Sequence, residues 1–168
     1  MGEKKKRVIL GIIIVLIVTL TGLNLLLHKG RNLKSTDEFV KELKSRNYKV
    51  ESIEDVTKNR MSWFSGNEKI IKCSNIELLV FEFTSVEEAS NEASRVSKDG
   101  FKIKPLPNAS GSTPLAVYIG WGDNPHFYRS GKLIVLYCGT NLKVQYDLNR
   151  ILGRQFAGFE WYIPGKKH

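Results

Sequence analysis

The chain has 168 residues and carries a formal net charge of +9, with two cysteines. Once a hydrophobic N-terminal stretch is set aside, about 135 residues remain, one ordinary domain able to fold without a metal or a disulfide. Lys4, Lys5, Lys6, Arg7, Lys29 and Arg31 against Glu3 hold +5 of the charge, and later acids and bases are interspersed, as in KELKSR, which argues against a nucleic-acid surface.

Residues 8 to 27 are twenty uncharged positions, fifteen of them Ile, Leu or Val. A helix of that length matches a hydrocarbon core of about 30 Å, so the segment is expected to cross a bilayer. A cleaved signal is the rival reading. No A-x-A site follows the apolar run, which continues through Leu25, Leu26 and Leu27. The compact basic block Lys4 to Arg7 precedes the span and places residues 1 to 7 in the cytoplasm, the rest outside it. Residues 28 to 34 then form a short tether, 35 to 163 the extracytoplasmic domain and 164 to 168 a basic tail.

Ser35 with Glu38 marks a capping box, and Phe39, Val40 and Leu43 follow at helical spacing, which predicts a helix over 36 to 46. Tyr48, Val50 and Ile53 alternate as a short strand, and Ser65 to Asn67 reads as a turn. Strands are expected at 69 to 73 and 76 to 83, joined by Ser74 and Asn75, a hairpin loop lacking the glycine such turns favour. A second helix starts from the Ser85 cap, turns Val86, Ala89, Ala93 and Val96 inward, and ends at Gly100. Short strands at 101 to 103 and 115 to 119 flank a loop rich in Pro, Gly, Ser and Asn. Residues 120 to 131, GWGDNPHFYRSG, read as an ordered loop held by its rings. An apolar strand at 133 to 138 and a helix over 141 to 152, closed by Gly153, complete the domain.

IELLVFEFTS at 76 and GKLIVLYCGT at 131 echo each other at an offset of 55, which suggests an α-β-β-β pseudo-repeat. The fold class expected is α+β: a small, mostly antiparallel sheet with two or three helices packed on one face, behind one transmembrane helix.

His126 is the one histidine inside the domain, and with Asp123 and Arg129 it is the weak candidate for acid–base chemistry, although no nucleophile accompanies it. Trp121, Phe127 and Tyr128 are candidate binding rings, with core filling as the plainer reading. Trp161 and Tyr162, near Lys166 and Lys167, suit contact with lipid headgroups. Cys73 and Cys138 could pair if the compartment oxidises thiols. No paired His or Cys spacing suggests a metal, no cofactor is implied, and P-loop, dinucleotide, G-x-S-x-G and H-E-x-x-H motifs are absent. Asn108-Ala109-Ser110 matches a glycosylation sequon.

The expected function is a membrane-anchored binding or interaction domain outside the cytoplasm, with the bilayer and an envelope protein as partners. Alternatives are an envelope hydrolase using His126, or a subunit of a membrane complex pairing through Thr19, Thr21, Gly22 and Asn24.

Overall fold

A computed structural model describes residues 13, 31–57, 63–105 and 116–159. Apart from Ile13, the expected span at 8 to 27 with its Thr19 to Asn24 face lies outside the described residues, as do the expected cytoplasmic stub at 1 to 7, the sequon, Trp161, Tyr162 and the basic tail. Among the described residues no helix is long and apolar enough to cross a membrane.

The fold is α+β. Helix α1 is Thr36–Ser45, followed by strands β1 (Val50–Asp55), β2 (Asn67–Cys73) and β3 (Ile76–Glu82). Helix α2 (Val86–Ala93) leads to β4 (Lys102–Ile103) and β5 (Val117–Tyr118), then β6 (Pro125–Ser130) and β7 (Leu133–Cys138). Helix α3 (Leu142–Leu152) and the two-residue β8 (Ala157–Gly158) close the chain. Six strands form one sheet in the order β1-β2-β3-β7-β6-β8, every neighbour antiparallel, and β4 with β5 makes a separate ribbon.

Local chemistry sets the helix starts. Ser35 accepts the Glu38 N–H, Ser85 accepts the Glu88 N–H, and Asn141 accepts from Lys143 and Val144. The hairpin between β2 and β3 turns through Ser74 (φ 48°) and Asn75 (φ 66°), the pair of positive angles a tight primed turn requires, here met without glycine. Asparagine tolerates that region, and Ser74 Oγ adds an anchor by accepting the Lys49 N–H at 2.9 Å.

The helices occupy both faces of the sheet, not one as the sequence suggested. On the first face Leu78, Val80, Val135 and Tyr128 pack with Phe39 and Leu43 of α1 and with Leu148 and Ile151 of α3. On the second, Phe81, Ile134, Leu136 and Phe127 pack with Ala89 and Ala93 of α2 and with Ile103 and Ile119 around the ribbon. The reason is in the two central strands. Leu78 to Phe81 and Leu133 to Tyr137 are unbroken apolar runs, so each exposes apolar side chains in both directions and needs cover on both. Val86, expected inward, is 44% exposed, because the buried stripe of α2 runs through Ala89 and Ala93.

Two more expectations are corrected. The segment from Pro125 to Ser130 is a strand between β7 and β8, not a loop; proline is tolerated as its first residue. The pseudo-repeat stops at the strands: α2, after β3, and α3, after β7, cover opposite faces, and the turns Ser74–Asn75 and Gly131–Lys132 are not 55 residues apart.

The domain also begins earlier than position 35. Arg31 N–H donates to the Ile151 carbonyl (3.1 Å), Leu33 N–H to Ser130 Oγ (3.2 Å), and Lys132 N–H to the Leu33 carbonyl (3.1 Å). Leu33 itself is buried. The chain therefore enters beside the turn between β6 and β7, at one end of the central strands.

Candidate functional site

A groove of about 630 Å³ lies at the opposite end of those strands, lined by Ile76, Glu77 and Leu79 of β3 and Leu136, Tyr137 and Cys138 of β7. The loop at Trp121 to Asp123 makes one wall, and Gly139 to Asn141, leading into α3, forms another part of the lining. Glu77 and Cys138 share the second sheet face with Leu79 and Leu136, beyond the part that α2 and the ribbon cover. At about 3.3 Å per residue, the six residues of β7 separate this groove from the entry of the chain by roughly 15–20 Å.

Trp121 is fixed by its own contacts. Its indole N–H donates to the Gly100 carbonyl at 2.8 Å, and its ring meets Trp63 and Phe127 edge-on at 6.4 and 5.8 Å. Burial pushes the Cys138 thiol up to about 11, and the carboxylates of Asp123 and Glu77 push it in the same direction. Tyr137 is likewise raised, first by burial, with Asp123 adding to it. A thiol held protonated beside two carboxylates is a poor nucleophile. A smaller hollow of about 330 Å³ adjoins the groove, sharing Ile76 and Asn141, and is lined by Arg46 and Lys143, both of which face Asp147.

The sequence candidates separate. His126 is fully buried, its Nδ1 2.8 Å from Gln155 Oε1 and its Nε2 3.0 Å from the Gly139 carbonyl. Gln155 Nε2 donates to the Phe159 carbonyl at 3.0 Å, which fixes which amide atom faces the imidazole. Both nitrogens face oxygens that only accept, and with the ring stacked 5.9 Å from Tyr137, His126 fits a role in tying β6 to the groove's Gly139. Asp123 is exposed in the loop, and Arg129, three residues along the strand from His126, points to the other sheet face. The structure does not assemble these three into one constellation.

Phe127 and Tyr128 are each wholly buried, one in each core, because adjacent strand residues face opposite ways; of the three candidate rings only Trp121 lines the groove. Cys73 and Cys138 are free thiols. They belong to opposite faces of the sheet with β3 between their strands, so their Cβ vectors diverge and no disulfide joins them. Among the described residues no group of three or more His, Cys, Asp or Glu is placed to hold a metal ion.

Glu77 and the Gly139 to Asn141 segment escaped sequence reasoning. The available signal was a charged residue just before the apolar run Leu78 to Phe81, and a Gly-Thr-Asn step between a buried strand and a helix. Comparison with protein-family models, with curated proteins and with solved structures finds no match to this chain.

Proposed function

We propose that the chain is a membrane-tethered binding domain outside the cytoplasm, and that the groove between β3, β7 and the Trp121 loop is its ligand site. The observation that carries this reading is the position of the groove at the sheet end remote from Arg31, where the chain enters the fold. With residues 8 to 27 spanning the bilayer, only residues 28 to 30 separate the span from the folded domain, a reach of about 10 Å. The domain then sits against the headgroups with its groove facing away from them. That geometry suits capture of a ligand arriving from outside. The full burial of His126 and the protonated thiol of Cys138 favour binding over group transfer.

Cys138 supplies the test, because it lines the groove while Cys73 is fully buried. Alkylation of Cys138 by a membrane-permeant maleimide is timed in intact cells and in the purified full-length chain. Slower alkylation in cells is expected, since a resident ligand shields the thiol; equal rates would mean an empty groove and would count against the reading.

A further inference from the structure

His126 sits where two stretches of chain meet. Its Nδ1 lies 2.8 Å from Gln155 Oε1, its Nε2 lies 3.0 Å from the Gly139 carbonyl, and the residue is wholly buried. A carbonyl oxygen only accepts, so each approach needs an N–H from the ring, and a neutral imidazole has one to give. Turning the Gln155 amide over moves the conflict without removing it. Its Nε2 donates to the Phe159 carbonyl at 3.0 Å, and the flipped amide would set Oε1 against that oxygen. Every neutral arrangement therefore leaves two acceptors face to face, at Gly139, Gln155 or Phe159, which costs free energy in a buried site. The imidazolium, with two N–H groups, satisfies all three places, and its two short bonds offset the cost of burying a cation.

The two partners differ in freedom. Gly139 lines the groove, and its own N–H donates to the Asn124 carbonyl at 2.9 Å, so its carbonyl is fixed by backbone on both sides. Gln155 is a half-buried side chain that can swing away. It opens the closing strap, residues 155 to 159, which includes β8, an edge strand of two residues that pairs with β6 alone. Phe156 N–H donates to the Phe127 carbonyl (2.9 Å) and Phe159 N–H to the Pro125 carbonyl (2.8 Å). Among the ionisable groups around the ring, Tyr137 of β7 stacks on it and Tyr128, two positions along β6 on the same face, is wholly buried. Asp123 and Arg154 are exposed, and β8 and Gly139 to Asn141 carry no ionisable side chain. On α3, Asp147 accepts from Tyr48 and Lys143, Tyr146 is exposed and Arg150 lies in the last turn. Both groups that hold the ring nitrogens are thus uncharged acceptors.

We infer that His126 is a proton-operated clasp: its imidazolium ties the closing strap to the groove's Gly139, and loss of the proton releases Gln155 and loosens the strap. The neutral ring keeps its N–H on Nε2, toward the fixed Gly139 carbonyl. The tie is present in acid and lost as pH rises, and it needs no ligand in the groove.

The experiment uses the full-length chain in neutral detergent with nitrogen-labelled histidine. The chain has three histidines, and His28→Gln and His168→Gln identify the His126 signals. Over about pH 5 to about pH 9, both ring nitrogens of His126 are expected to carry protons at the acid end and Nε2 alone at the alkaline end. Amide exchange at Phe156 and Phe159, corrected for its intrinsic pH dependence, should quicken roughly tenfold over the same interval while β3 and β7 hold theirs. Gln155→Ala, compared with itself across the range, should exchange quickly at the strap throughout and show no step. A ring with a single proton at every pH, or one still doubly protonated at the alkaline end, would overturn the clasp. So would loss of the ring proton with unchanged exchange at the strap, or a step that survives in Gln155→Ala.

Discussion

Thr36 gives both its backbone N–H (3.0 Å) and its hydroxyl (2.6 Å) to one carboxylate oxygen of Glu82, forty-six residues away. The contact fastens the first turn of α1 to the end of β3 nearest the chain entry, and Lys69 Nζ completes it at 3.4 Å. Burial pushes the Glu82 carboxyl up, but the Thr36 bonds and Lys69 outweigh it and hold it below the usual glutamate range.

Glu82→Gln is therefore expected to cost roughly 1.5–3 kcal/mol of unfolding free energy at neutral pH, the worth of bonds to a charged acceptor. A lowered folded-state value makes the sign definite. The contribution is fully present above the unfolded value of about 4.3 and disappears as pH falls through the folded one. Urea titrations from pH 7 to pH 3 should show the wild type converging on the variant in acid.

Gly131 turns between β6 and β7 at φ 56°, and a Cβ there would meet the Leu33 carbonyl oxygen at 2.0 Å. Gly131→Ala is expected to destabilise the domain by roughly 1–3 kcal/mol, and by more if the entering segment around Leu33 is displaced. Amide exchange should locate the damage, with Leu33 and Lys132 losing protection before the central strands.

His126→Ala removes partners from both Gln155 and the Gly139 carbonyl and opens space under Tyr137. A loss of roughly 2–4 kcal/mol is expected, read as a lowered midpoint of thermal unfolding. An unchanged midpoint would show that the histidine does not tie β6 to Gly139 as described.

The two thiols make the simplest chemical prediction. Unfolded without reductant, the chain should titrate two free thiols; folded, Cys138 should react and Cys73 should not, since Cys73 is wholly buried. The rate at Cys138 should climb about tenfold per pH unit until pH approaches about 11, where burial and its acidic neighbours place its ionisation.

Much of this fold was legible as local chemistry. The serine caps, the amphipathic spacing of Phe39, Val40 and Leu43, and the two strongest strands are short-range features, and they stand where the sequence puts them. The face each helix covers was also encoded, in the unbroken apolar runs of β3 and β7, but one-sided packing was the simpler inference. Glycine and proline density around Pro125 to Ser130 concealed a buried strand, since its alternation of His126, Tyr128 and Ser130 with Phe127 and Arg129 is not a polar–apolar one. The groove was least legible. Glu77 and Asp123 are distant in sequence, and it is the pairing of β3 with β7 beside the Trp121 loop that brings them together.

Digestion of intact cells with an added protease, paired with the mass of the membrane-bound form, tests the central claim most directly. The account predicts a chain of full-length mass, 19.1 kDa, whose domain from Arg31 onward is degraded without lysis. A domain that survives until the membrane is opened, or a mature chain lacking the first residues, would contradict an anchored groove facing outward.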